Sequence, residues 1–187
     1  MRKEIRFGGF GGQGIISAGN ITGKAASIFE DKNAVLIQSY GPEARGGACS
    51  ADVVIEDEKI DYPQITVPEV LVLMSQEAYE KYSGEIQDGG IMLLEEDLVE
   101  EVEPPEGVRQ YTIPATKIAE DLGHKIVANV VMLGVLVAVT SVLDPEKMRE
   151  AILSSVPEGT EDLNEKAYES GLDYGKKIAE EKMTATG

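Results

Sequence analysis

A run of glycines near the N-terminus is the strongest chemical signal in the sequence. Five of the seven residues from Gly8 to Gly14 are glycine, and the run stands between a predicted strand and a predicted helix. Glycines there let the backbone approach a ligand, and the first turn of the helix presents free N–H groups and a partial positive charge. The run therefore predicts a site for phosphate or another anion, although a tight strand-to-helix turn would also use glycine. The residues predicted to bind are Gly9, Gly11, Gly12, Gln13 and Gly14.

A second glycine-rich segment follows the next predicted strand. Gly41, Gly46 and Gly47 surround Glu43 and Arg45. The guanidinium of Arg45 is permanently charged, and its planar fork suits phosphate or carboxylate. Because α/β proteins bind ligands at the carboxyl ends of their strands, we expect both glycine segments to lie together at that edge. We predict that Arg45 binds an anionic ligand; the alternative is a surface ion pair between Arg45 and Glu43.

Two common nucleotide-binding motifs do not fit these glycines. An NAD-binding fold places an acidic residue at the end of its second strand to hold the ribose hydroxyls. Here residues 38–40, at the end of that strand, are all uncharged. A P-loop that ends at Lys24 also fails, because Ala18 stands where a glycine is needed and Ala25 stands where Ser or Thr should hold magnesium.

Four other residues carry groups that could do chemistry. Cys49 is the only cysteine and His124 the only histidine, which excludes a Cys-ligated zinc site, a four-Cys iron–sulfur cluster and a multi-His site within this chain. We interpret Cys49 as a small core residue and His124 as a capping or surface residue. Asn129, at the start of a buried helix, either caps backbone groups or reaches a ligand. Tyr40 could stack on an adenine, but packing is the favoured interpretation.

The charge balance excludes several classes of partner. The chain has 17 basic and 34 acidic residues, for a net charge of −17. Such a surface repels phosphate backbones and anionic lipids, so no nucleic-acid or membrane partner is expected. The N-terminus runs directly into the glycine segment and has no secretory signal pattern, so we expect a cytoplasmic protein.

The hydrophobic pattern predicts a single α/β domain over residues 1–187, with a mostly parallel sheet flanked by helices, Rossmann-like, and a helical C-terminal tail. Ala34 to Ser39 reads as a strand buried on both faces. The uncharged segment from Ile126 to Leu143 reads as a buried helix rather than a membrane span. Further strands are predicted at 3–7, 51–55, 70–74, 91–94 and 108–113, and further helices at 15–29, 76–82, 114–122, 145–155 and from 160 onward.

Three motifs together resemble a known family. Residues 7–15 read Phe-Gly-Gly-Phe-Gly-Gly-Gln-Gly-Ile, residues 39–47 read Ser-Tyr-Gly-Pro-Glu-Ala-Arg-Gly-Gly, and residues 129–134 read Asn-Val-Val-Met-Leu-Gly. This combination looks like the gamma subunit of 2-oxoacid:ferredoxin (or acceptor) oxidoreductases, the pyruvate/ketoisovalerate oxidoreductase gamma family. The likeness covers nearly the whole chain, which would then be one gamma-type catalytic domain. Within the family the chain looks most like the 2-oxoglutarate branch, followed by the branched-chain 2-oxoacid branch.

The resemblance implies a function that is shared among subunits. Such complexes decarboxylate a 2-oxoacid oxidatively, join the acyl group to coenzyme A and reduce ferredoxin or another acceptor. Thiamine diphosphate would be held by alpha and beta subunits, and the iron–sulfur cluster by beta or a small delta subunit. The gamma subunit would bind no cofactor tightly and would contribute to the coenzyme A pocket, with Asn129 and Arg45 beside the first glycine segment.

Two other hypotheses remain open from the sequence. The chain could be a stand-alone nucleotide- or flavin-binding Rossmann-like module, although the missing acidic residue disfavours its NAD form. It could also be an interaction scaffold whose glycine segments only pack against partners. The oxidoreductase subunit is the favoured hypothesis, and it predicts that the isolated chain has no oxidoreductase activity.

Overall fold

Strands alternate with helices through the first two thirds of the chain, and helices form the remainder. The computed structural model describes residues 1–40, 48–100 and 103–185. Six strands form one sheet: β1 Arg2–Gly9, β2 Asn33–Ser39, β3 Cys49–Glu56, β4 Val70–Leu73, β5 Ile91–Glu95 and β6 Arg109–Ile113. The α-helices are α1 Ile15–Lys24, α2 Gln76–Tyr82, α3 Ala115–Asp121, α4 Ala128–Thr140, α5 Pro145–Leu153 and α6 Glu161–Ala185.

The strand order in the sheet is β2-β3-β1-β4-β5-β6. The pairs β1–β4, β4–β5 and β5–β6 are parallel, whereas β3 is antiparallel to both of its neighbours, β1 and β2. Five strands therefore point the same way, which confirms the predicted mostly parallel sheet. Their carboxyl ends share one edge, and the loop between β1 and α1 starts from the middle of that edge.

The prediction that β2 is buried on both faces is wrong. β2 is an edge strand that pairs only with β3, and its residues 34–37 are half-buried while both of its ends are exposed. The reason lies in the connection to β3. Residues 40–48 are too few for the helical crossover that a parallel pair needs, about a dozen residues or more, so β3 returns antiparallel and lies between β2 and β1.

The first helical segment is predicted over its whole length, from Ile15 to Phe29, but it changes pitch within that length. After Lys24 the chain forms a π-helical turn over Ala25–Phe29. A π turn contains one residue more than an α turn and therefore shifts the face that meets the core. Ile28 is accordingly 67% exposed, and Phe29 packs against the core instead.

Helices cover both faces of the sheet. α1, α3, α4, α5 and α6 share one large apolar core with β1 and β3, whose inward side chains include Ile5 and Phe7. On the opposite face, α2 packs its Tyr79 and Tyr82 over Leu71 and Met92. The chain thus crosses to one face after β1 and to the other after β4, as a doubly wound fold does.

The buried helix α4 is shorter than predicted. It begins at Ala128 after a 3-10 turn over Lys125–Val127 and ends at Thr140, and its residues from 128 to 137 are all buried. Residues 126 and 127, which were predicted to be helical, belong to the 3-10 turn instead. His124 has an extended backbone, so the chain changes direction there before the turn begins. Within the described parts of the chain, no helix is both long and apolar enough to cross a membrane.

Helices α4 and α6 run parallel to each other at very short distance. A Cβ added to Gly171 would overlap Val131, and one added to Gly175 would lie 2.7 Å from the Cβ of Ala138. Residue numbers therefore rise together along the two helices. Val131 lies against Gly171 and Val135 lies against Gly175, so α6 starts more than one turn before α4 and its first turn extends beyond the start of α4.

Candidate functional site

The loop between β1 and α1 has the backbone shape that its glycines allow. Gly12 has φ +93° and Gly14 has φ +75°, a region that residues with a side chain rarely adopt. Gly14 occupies the position before the first turn of α1, and no side chain caps that helix. The first turn of α1 contains no acidic residue. Its N–H groups and the positive end of its dipole are therefore available to an anion.

Gln13 holds this loop in place. Its Oε1 accepts a hydrogen bond from the backbone N–H of Phe10 at 2.7 Å, and its Nε2 donates one to the carbonyl oxygen of Met74 at 2.7 Å. The side chain thus fastens the loop to the end of β4. Gly9 makes room for it, because a Cβ at Gly9 would lie 2.5 Å from Gln13 Oε1.

Asn129 joins the start of α4 to the same loop. It is 7% exposed, and its Nδ2 donates a hydrogen bond to the carbonyl oxygen of Gly14 at 3.2 Å. Of the two roles considered for Asn129 in the sequence analysis, this bond is the one toward backbone groups. Asn129 also lines the cleft described next, so the role toward a ligand stays open as well.

A cleft of about 700 Å³ lies in front of the glycine loop. One wall is the loop with the first turn of α1, and a second is the start of α4. The third is the turn from α5 into α6, with Ser155, Thr160 and Asn164. The rest of the described lining is mostly apolar, including Ile15, Val130, Val156 and Leu163.

The electrostatics of the cleft differ from those of the chain as a whole. None of its described lining residues is charged, in a chain whose net charge is −17. With no carboxylate in the described lining, the helix dipole of α1 is not offset there. Cys49 also lines the cleft, and burial raises the pKa of its thiol, so the thiol stays protonated and is not primed as a nucleophile.

The structure brings together only some of the predicted site residues. Gly11, Gly12, Gly14 and Asn129 line the cleft. Gly9 and Gln13 lie behind the loop and support it, so a direct contact with ligand stays a prediction for them.

Arg45 belongs to the second glycine segment, and that segment, residues 41–47, lies outside the described residues. The strand that precedes it can be placed. Ser39 at the end of β2 and Gly8 near the end of β1 both pair with Ser50, so the two strands end at the same edge. A role for Arg45 in the site remains a prediction.

Two features of the cleft differ from the sequence analysis or were missed by it. Tyr40 is 63% exposed and lines the cleft rather than packing in the core, so the favoured packing interpretation is wrong. Thr160 and Asn164 were not identified. The only sequence signal for them was the helix start at Gly159-Thr160, and their place in the cleft depends on α4 and α6 being parallel neighbours.

Comparison with known proteins identifies relatives along nearly the whole chain. Residues 4–174 match the pyruvate ferredoxin/flavodoxin oxidoreductase family. The chain is 52% identical over 180 residues to 2-oxoglutarate synthase subunit KorC of Methanocaldococcus jannaschii, which covers 95% of this chain and 96% of that protein.

Two solved structures share the fold of this chain. The gamma subunit of a keto/oxoacid ferredoxin oxidoreductase from Geobacter sulfurreducens superposes with a TM-score of 0.84 at 43% identity, and covers 94% of this chain and 97% of that chain. The 2-oxoglutarate:ferredoxin oxidoreductase from Magnetococcus marinus was solved with 2-oxoglutarate, coenzyme A and succinyl-CoA bound, and it superposes with a TM-score of 0.82 at 26% identity. The matched region covers 94% of this chain and 31% of the Magnetococcus chain.

Proposed function

The chain belongs to the pyruvate ferredoxin/flavodoxin oxidoreductase family, and from this we propose that it is the gamma subunit of a complex that converts 2-oxoglutarate and coenzyme A into succinyl-CoA. In that reaction the bond between C1 and C2 of the 2-oxoacid breaks and CO₂ leaves. C2 is oxidised to the thioester, two electrons pass to ferredoxin or another acceptor, and the proton of the thiol is released. The name of the Methanocaldococcus relative supports 2-oxoglutarate as the substrate.

We further propose that the redox chemistry takes place on partner subunits. In the described parts of this chain, no three His, Cys, Asp or Glu side chains are grouped so that they could hold a metal ion. The single thiol, Cys49, is buried, and burial raises its pKa. Thiamine diphosphate is assigned to alpha and beta subunits and the iron–sulfur cluster to beta or delta. When bound there, these groups supply decarboxylation and electron transfer, and this chain supplies a binding surface.

The observation that carries the proposal for this chain is the uncapped first turn of α1 opening on an uncharged cleft. Coenzyme A contains a diphosphate, and an anion of that kind suits free N–H groups at a helix N-terminus. A Cβ built on Gly11 or Gly12 meets nothing within 4 Å, so the loop leaves open space above its backbone. The residues present therefore fit a diphosphate, with Gly11, Gly12 and Gly14 as its backbone contacts.

Arg45 is proposed to add a positive charge to this site in the complex. Its guanidinium can form two parallel hydrogen bonds with a phosphate, which the ammonium group of lysine cannot do. Arg45→Lys should therefore raise the KM for coenzyme A nearly as much as Arg45→Ala does. Full activity of an Arg45→Ala complex would show that Arg45 does not contribute to the site.

The proposed function is tested by purifying the native complex that contains this chain. We expect ferredoxin reduction that requires both 2-oxoglutarate and coenzyme A, with pyruvate and branched-chain 2-oxoacids turned over more slowly. The purified chain alone should turn over none of them. Turnover by the isolated chain, or a complex that is inert toward every 2-oxoacid tested, would contradict the proposal.

A further inference from the structure

The two edges of the sheet are protected differently. At the β6 edge, the Nζ of Lys182 in α6 donates a hydrogen bond to the carbonyl oxygen of Gln110 and lies 4.2 Å from the centre of the Tyr111 ring. At the other edge, β2 pairs only with β3 among the residues that the structure describes. An open edge of this kind can pair with another chain, and proteins usually block it with charge, proline, a bulge or a covering segment.

β2 has none of these protective features within the strand. Its seven residues from Asn33 to Ser39 include no charged residue and no proline. They pair with β3 in continuous register, without a bulge. Exposed apolar side chains precede and follow the strand in the chain. Ile28, in the π-helical turn that contacts β2, is 67% exposed, and Tyr40 is 63% exposed. The edge is thus apolar, uncharged and uninterrupted.

Charge determines what kind of chain can approach this edge. Two copies of a chain with net charge −17 repel each other over most of their surfaces. A contact between copies is therefore favourable where the surface is uncharged and offers other bonds. β2 meets both conditions, because an uncharged strand places no like charges opposite each other and its backbone groups on the side away from β3 can pair. A second β2 is itself an extended, apolar and uncharged segment of the kind that fits.

We propose that two copies of this chain associate through β2, which pairs antiparallel with β2 of the second copy about a two-fold axis at Leu36. This register pairs all seven residues of each strand. It places Val35 of one copy opposite Ile37 of the other, twice by symmetry, and apolar cross-strand pairs of this kind stabilise neighbouring strands.

The same register keeps the two faces of the joined sheet distinct. Leu36 faces α1, since a Cβ added to Gly19 of that helix would lie 2.9 Å from Leu36 Cδ1. Side chains alternate between the faces along a strand, and in this register even-numbered residues oppose even-numbered ones. The α1 helices of both copies therefore lie on the same side of one continuous sheet.

Sedimentation equilibrium of the full-length chain tests the proposal. The mass should rise from 20.1 kDa toward twice that value as the protein concentration rises. Because added salt screens the repulsion between two chains of net charge −17, the dissociation constant of the dimer should fall as the salt concentration rises. A monomer at every concentration, or a dimer that salt weakens, overturns the proposal.

A charge placed on the edge strand should separate the copies. Val35→Lys alters both symmetric cross-strand pairs and should raise the dissociation constant of the dimer by about tenfold or more. Val67→Lys adds the same charge at a 44% exposed position in the connection before β4, and it should leave the dissociation constant unchanged. Equal effects of the two substitutions overturn the proposal.

Hydrogen exchange in the unmodified chain gives a measurement that does not depend on how a variant folds. The amides of β2 should exchange more slowly as the protein concentration rises, whereas those of β6, whose edge is covered by α6, should not respond. A dimer in which the β2 amides are not slowed would be joined through another surface, and the proposal would be wrong. A monomeric chain whose β2 amides are slowed only in the assembled complex would show that a strand of another subunit occupies this edge, which also overturns the proposal and leaves the proposed function standing.

Discussion

The Nδ2 of Asn129 lies 3.2 Å from the carbonyl oxygen of Gly14 and donates a hydrogen bond to it. This bond ties the first turn of α4 to the residue from which α1 starts, across 115 positions of sequence. The glycine loop is therefore not a free surface turn. It is held by Asn129 on one side and by Gln13 on the other, and both supports act on backbone atoms, so the N–H groups of the loop are held in place before a ligand arrives.

The two glycines with positive φ should respond differently to alanine. Gly14→Ala and Gly12→Ala both force a side chain into the left-handed region, which costs about 1–2 kcal/mol each. At Gly14 the new Cβ would also overlap Asn129, with its Cγ only 2.8 Å away, whereas at Gly12 it meets nothing within 4 Å. We expect Gly14→Ala to lower the free energy of unfolding further, by about another 1–3 kcal/mol. Urea unfolding measures the difference, and equal losses would show that Asn129 moves aside freely.

Gln13 should matter for stability through its donated hydrogen bond. Gln13→Glu keeps an acceptor for the Phe10 N–H but places a carboxylate oxygen against the Met74 carbonyl oxygen. We expect a loss of about 1–3 kcal/mol in the free energy of unfolding at neutral pH. Gln87→Glu, at an exposed position, adds the same charge and is the control. If both variants unfold at the same urea concentration, Gln13 does not fasten the loop.

The crossing of α4 and α6 should tolerate no added methyl group. Gly171→Ala would push its Cβ into the backbone of Val131, whose carbonyl carbon lies 2.8 Å from that position. Because backbone cannot rotate away, the helices must separate, at a cost of about 1–3 kcal/mol or more. Gly23→Ala in α1 is the matched control, since its Cβ meets nothing. There alanine should stabilise the protein by about 0.5–1 kcal/mol. Thermal unfolding should shift the two melting temperatures in opposite directions, and a Gly171→Ala protein as stable as the parent would contradict this packing.

The sequence predicts most of the elements because local patterns determine them. The helix Gln76–Tyr82 is placed at its observed limits. As predicted, Asp144 is the N-cap of α5 and Pro145 is its first residue, and the Asp144 side chain accepts a hydrogen bond from the N–H of Glu146. The features that the sequence does not predict depend on contacts between elements that are distant in the chain. The hydrophobicity of Ala34 to Ser39 does not reveal that β3 would separate β2 from β1. Asn164 reads as an ordinary polar residue of an amphipathic helix until α6 is placed beside α4.

The single cysteine provides a probe of the cleft. Burial raises the pKa of the Cys49 thiol, so its thiolate fraction at a given pH is smaller than that of an exposed cysteine. The pH midpoint of its alkylation by iodoacetamide should therefore lie higher in the folded protein than in the same protein in urea. A coenzyme A analogue that lacks the thiol should slow the folded reaction, because Cys49 lines the cleft. A folded midpoint at or below the unfolded one would contradict the burial of this thiol.

The binding of coenzyme A in the glycine-loop cleft is tested most directly by Gly11→Val in the assembled complex. Gly11 does not need positive φ, and a Cβ there meets nothing within 4 Å, so valine fits the chain and only fills the cleft. Gly84→Val, an exposed and equally open position away from the cleft, is the control. The measurement is the KM of each complex for coenzyme A and for 2-oxoglutarate. We expect Gly11→Val to raise the KM for coenzyme A by about tenfold or more, equivalent to about 1.4 kcal/mol, and to leave the KM for 2-oxoglutarate unchanged. An intact Gly11→Val complex with the parent's KM for coenzyme A would contradict the account.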